Sequence, residues 1–177
     1  MNKIIISLSV VVVVIVLIGY VIAGPHLAIN DIKEAIEQGD SDQLSDNIDF
    51  PVLRVNFKEQ FNANMMKEAA ADLKDNPFGL LAAGLMTSMA DTMVDAFITP
   101  SGLAAIMKGN RPGIGQEDPI SDTESREVFK DAQYTYDGLS SFSAWVPDDS
   151  GQETRFVLTR EFLSWKLTNI IFPPTPP

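Results

Sequence analysis

An α+β fold is what this 177-residue chain predicts: an N-terminal transmembrane helix, a helical layer, and a C-terminal sheet of three to four antiparallel strands. Three observations predict it. Ile4 to Ala23 is an uncharged apolar run of 20 residues. Apolar residues then recur every three or four positions to about residue 131, and after residue 133 the period falls to two. The expected division is an anchor over 1–24, a soluble α+β domain over 25–172, and a disordered proline-rich tail over 173–177.

A helix rises about 1.5 Å per residue, so the Ile4 to Ala23 run matches a hydrocarbon core of roughly 30 Å. A cleaved signal peptide competes, because Val21 and Ala23 are small residues before Gly24. The run is longer than the roughly 7 to 15 residues of a typical signal core, and only Lys3 precedes it, so an uncleaved anchor is expected. Lys3 before the span and Lys33 well beyond it favour a cytoplasmic N-terminus and a periplasmic soluble domain. The absence of cysteine excludes lipoprotein acylation, disulfides and thiol chemistry.

Beyond Lys3 the chain holds 12 basic and 24 acidic residues, a formal charge of −12. Such a surface repels phosphate backbones, so no nucleic acid is expected as a partner. It suits solubility or a basic partner.

Gly24 and Pro25 are expected to end or kink the span. Leu27, Ala28, Ile32, Ala35 and Ile36 then define a helix closed by Gly39, and Asp40 with Gln43 offers a capping-box start for the next. In "NIDFPVLRVNFKEQF" Phe50 precedes a proline and is expected to be the last non-helical residue, with Pro51 the first helical one. Asp49 sits at the positive end of that helix, and Leu53, Phe57, Phe61 and Met65 form its buried stripe. Arg54, Lys58 and Glu59 fall off the stripe, leaving room for an Asp49 to Arg54 ion pair.

Asn76 and Pro77 start, and Thr99 and Pro100 stop, a strongly apolar helix. Asp91 and Asp95 argue against a second span, since each would cost roughly 2.5 to 3.5 kcal/mol near a bilayer centre. Leu81, Leu85, Met89, Met93 and Phe97 are expected to face the core. A short helix from Pro100 to Gly109, a loop over 110–119 and a capping box at Ser121 and Glu124 follow. The strands are "SSFSAWVP", "ETRFVLTR" and "LSWKLTNIIFP", with a shorter one at Tyr134 and Tyr136. Phe142, Ala144 and Val146 alternate with Ser141, Ser143 and Trp145.

The order of the "GD" turn, "DFPVLR", "TPSGLA" and "WKLTNIIFP" behind an apolar anchor resembles DUF2939, a family of bacterial proteins of unknown function. The resemblance implies a membrane-anchored envelope protein and carries no catalytic residues. Helices with a "GD" turn ahead of a sheet ending in "WK" are also similar, more weakly, to the NTF2-like superfamily, which implies a pocket between sheet and helices.

Catalytic chemistry is poorly provisioned. The only histidine, His26, lies beside the span, so a two-histidine metal site within one chain is excluded. "GIGQED" lacks the spacing of a dinucleotide loop, and "PDDSGQE" lacks the alternate carboxylates of a calcium loop. Acid pairs at Asp91 and Asp95, or Glu117 and Asp118, are unremarkable in so acidic a chain. No cofactor is expected.

The function expected is a non-enzymatic binding or interaction module of the bacterial inner membrane. Its partners would be the membrane and a basic envelope protein, or a lipid or small ligand. The alternatives are a ligand- or lipid-binding pocket between the sheet and the Met-rich helix, and a carboxylate enzyme with an NTF2-like pocket. The structural or pocket candidates are Asp49, Pro51, Arg54, Met89, Met93, Phe142 and Trp165. Trp165 could floor a pocket with Trp145 and Phe156, although burial in a sheet-helix core is the expected role.

Overall fold

A computed structural model of the chain describes residues 2–72, 79–107, 129–148 and 151–173. Within them lie α1 (Asn2–Gln38), α2 (Ser41–Asn47), α3 (Phe50–Asp72), α4 (Gly79–Phe97) and α5 (Pro100–Met107). The strands β1 (Gln133–Tyr136), β2 (Ser141–Pro147), β3 (Glu153–Glu161) and β4 (Ser164–Ile171) follow. The fold is α+β. The expected helix start at Asn76 and Pro77, the Gly109 stop, the 110–119 loop, the Ser121 and Glu124 capping box and the end of the tail lie outside the described residues.

α1 does not end at Gly24 and Pro25 but continues through both. Pro25 withdraws one backbone donor from the helix, and packing offsets the loss. Pro25 is fully buried, and the Tyr136 hydroxyl donates to the neighbouring carbonyl of Ile22. The helix ends where expected. Gly39 adopts φ +71°, its N–H reaches the Ile36 carbonyl, and Asp40 N–H reaches that of Ala35, the double closure of a Schellman turn. The buried face of α1 is Ala28, Ile29, Ile32, Ala35 and Ile36. Leu27, expected on that face, is exposed, and Ile29 takes its place.

The Asp40 carboxylate accepts from the N–H groups of Asp42 and Gln43, both at 3.0 Å, and caps α2. Ile48 then turns extended and bridges Leu167 in parallel, while Asp49 N–H donates to the Leu167 carbonyl at 3.0 Å. α3 begins one residue earlier than expected. Phe50 is already helical because Asp49 is the cap, its Oδ1 accepting from Val52 N–H at 3.0 Å. Pro51 therefore occupies the second helical position, where a missing N–H is equally harmless. Leu53 is fully buried and Phe57 half-buried, but Phe61 emerges to solvent.

The sheet is a meander in the order β1-β2-β3-β4, all antiparallel. Between β3 and β4 the register slips, with Val157 opposite Asn169 but Leu158 opposite Leu167, so Thr168 is the extra residue of a bulge. The bulge explains how Trp165, Leu167 and Ile170 all reach the core although their spacing is not strictly two. The outer edge of β4 is covered by α3. Asn56 donates to the Thr168 carbonyl at 2.8 Å, and Gln60 donates to the Ile170 carbonyl at 3.1 Å and the Asn169 side chain at 2.8 Å. An edge strand is thereby closed to stray pairing. One core joins the layers, from Ile29, Ile32 and Ile36 through Leu44, Leu53, Val94 and Leu103 to Phe142, Leu158 and Leu167.

Candidate functional site

Two features stand out once the core is filled. The first is where α1 meets the sheet. Seen from the sequence, Gly24 and Pro25 read as punctuation. In three dimensions Gly24 is a point of close approach: a Cβ there would lie 2.5 Å from Cδ1 and 2.7 Å from Nε1 of Trp165. Around that contact gather aromatic rings. His26 packs edge-on against Tyr134 at 5.2 Å and Phe142 at 5.0 Å, and Tyr136 packs edge-on against Phe142 at 4.7 Å and Trp165 at 6.4 Å. Burial raises the ionisation of both Tyr134 and Tyr136 above the ordinary phenol range.

The second feature is the outer face of α4. Leu85, Met89 and Met93, expected in the core, point outward, and Met89 is 67% exposed. Ala90, Val94 and the following Ile98 are buried instead. The helix is apolar around most of its circumference, so the face turned inward was set by what α3 and α5 present. Lys58 of α3 pairs with Asp95 at 2.7 Å, and Arg54 donates to the Ile98 carbonyl at 2.8 Å. These two contacts hold α4 and its C-terminal end against α3 while the methionine stripe faces out. Leu85, Ser88, Met89, Thr92 and Met93 line an open groove of about 300 Å³. All five of these described lining residues belong to one helix face.

The other expected site residues are dispersed. Phe142 and Trp165 are core residues, whereas Met89 and Met93 are exposed on α4. Arg54 serves α4 through Ile98 and Asp49 caps α3, so the ion pair between them gives way to two backbone contacts. Trp145 alternates to the far face of the sheet, where the Arg155 guanidinium lies 4.9 Å over its ring. On that face Ser143 donates to Asp137 at 2.5 Å, and Arg155 reaches Asp137 at 3.1 Å and Ser143 at 2.8 Å. The Ser143 hydrogen bond foremost, helped by Arg155 and opposed by desolvation, holds the Asp137 carboxyl below its usual range. This trio staples the β1–β2 turn to β3. Sequence spacing gave no signal of it, because Asp137 reads as a turn residue and Ser143 as the polar half of an alternation.

Among the described residues no three acidic or histidine side chains converge as a metal site. Residues 14–106 match the model of a family described as a protein of unknown function (DUF2939). No curated protein and no solved structure matches the chain, and the NTF2-like likeness is not shown.

Proposed function

The chain belongs to the DUF2939 family of proteins of unknown function, and from that premise we propose that it is a non-enzymatic binding module anchored in the bacterial inner membrane. The observation that carries the reading is the stripe of Leu85, Met89 and Met93, three large apolar side chains turned to solvent along one helix. Contiguous exposed apolar surface is costly to keep in water, and methionine adapts to partners of varied shape. A basic envelope protein is the partner class the −11 chain would attract.

Anchoring has its own support. The described side chains from Ile6 to Tyr20 are exposed, as a lipid-facing helix requires and a soluble core helix does not. Cleavage after Ala23 would cut α1 within an unbroken helix, next to a Gly24 and Pro25 that are buried. Lys3 favours a soluble domain on the periplasmic side.

A photo-crosslinking residue at Met89, in the full-length protein in its membrane, is expected to give a discrete protein adduct that one at Asp46 does not. Met89→Glu should abolish capture of that same partner without unfolding the protein. Adducts with lipid or a small molecule alone would move the reading to the groove beside Met89 as a ligand site. No position-dependent adduct would refute the stripe as the binding surface.

A further inference from the structure

We propose that the two hairpin tips of the sheet dip into the bilayer surface beside α1, so that the domain rests on the membrane and does not swing from its anchor; this rests on the anchored reading above. The direction is fixed by β1, and the antiparallel meander carries it to the β3–β4 tip. Along β1, Tyr134 meets His26 while Tyr136, nearer the turn, meets Ile22. Trp165, at the start of β4, meets Gly24. Both tips therefore point along α1 toward its apolar stretch.

The tips carry the side chains such a position needs. Leu139 in the β1–β2 turn is 88% exposed, and Phe162 and Leu163 in the β3–β4 turn are 98% and 55% exposed. Phe162 also sits at φ +54°, in the left-handed region where glycine or asparagine would be cheapest. A phenylalanine there is not explained by turn geometry or by packing. The two turns are tied together by the Arg160 N–H donating to the Ser140 carbonyl at 2.9 Å, so they act as one unit.

Depth follows from chain length. The three residues from Tyr136 to Leu139 span at most about 10 Å, the rise of six or seven residues of helix. That reach suits the boundary of headgroups and acyl chains, into which apolar faces commonly sink roughly 5 to 10 Å. Tyr136, partly exposed and hydrogen-bonded to Ile22, and Tyr20 on α1 supply amphipathic rings near that boundary. The charged groups nearby are of both signs: Asp137 with its partner Arg155, and Arg160, Glu161 and Lys166. The contact is therefore apolar and does not depend on anionic lipid.

The chain has no cysteine, so single cysteines carrying an environment-sensitive fluorophore can be placed at will. Leu139→Cys, Phe162→Cys, Glu153→Cys and Val12→Cys would each be made in the full-length protein and reconstituted in pure phosphatidylcholine vesicles. Acyl-chain spin labels should quench the probes at 139 and 162 several-fold more than the probe at 153, with iodide showing the reverse order. Adding Phe162→Asp to the 139 probe should cut its lipid quenching several-fold. Tip probes as wet as the 153 probe, with the 12 probe in lipid, would overturn the proposal and leave the anchor standing. Tip probes shielded from both quenchers would overturn it in favour of a protein contact. A 12 probe outside lipid would refute the anchor, and this inference with it.

Discussion

Gly24 and Trp165 set the distance between α1 and the sheet. Because a Cβ at position 24 would press on the indole at 2.5 Å, Gly24→Ala is expected to destabilise the full-length protein in detergent by about 1 to 3 kcal/mol. Trp165→Ala, which empties a 3%-exposed core position, should cost about 3 to 5 kcal/mol in urea unfolding. An unchanged unfolding curve would mean that Trp165 is not a core residue. Phe162 makes the opposite case: Phe162→Gly removes left-handed strain and should raise stability by about 0.5 to 1 kcal/mol, while weakening any contact its ring makes. The burial of Trp165, Phe142 and Leu53 was legible in the alternation and helical spacing around them. The role of Gly24 was not, because its constraint comes from a strand far along the chain, and a glycine next to a proline reads locally as a stop.

At the scale of elements, caps and turns were the most readable features, since their chemistry is local. Asp40 closes onto α2 as its spacing with Gln43 suggested, and Asp49 caps α3, so Asp49→Ala should cost about 1 kcal/mol. Faces were harder. On α4 the expected and observed buried stripes differ by about a third of a turn, because its apolar arc is broader than one stripe and holds both Leu85, Met89 and Met93 and the buried Ala90 and Val94. The two faces are separable by experiment: Met89→Glu should shift stability by no more than about 0.5 kcal/mol, whereas Val94→Asp, burying a charge, should prevent folding. The bulge at Thr168 was hidden for a related reason, since one extra residue inverts a two-residue period partway along β4. The β1–β2 turn adds a pH signature. Asp137 ionises below its usual range, so its carboxylate favours the folded state; that contribution is complete above about pH 4 and is lost as pH falls through the lower folded value. Asp137→Asn should therefore be less stable than the parent at neutral pH, with the difference closing in acid.

For the whole molecule, the central fact is that one helix carries both an exposed apolar stretch long enough to span a membrane and a buried face of the domain core. α1 has 37 residues, about 55 Å of helix, against a hydrocarbon core of roughly 30 Å, and its second half is the buried spine of the domain. The apolar stretch and the domain core are thus not joined by a flexible linker but belong to one continuous helix, with the sheet packed at Gly24 where the apolar stretch ends. Hydropathy alone marked the apolar stretch and periodicity marked the spine. Their continuity was invisible because Gly24 and Pro25 lie at the join. The most direct test is the intact mass of the protein extracted from membranes of cells expressing the full chain. Retention of the whole chain, resistant to carbonate extraction, is the expected result; a soluble species beginning at Gly24 would contradict the account.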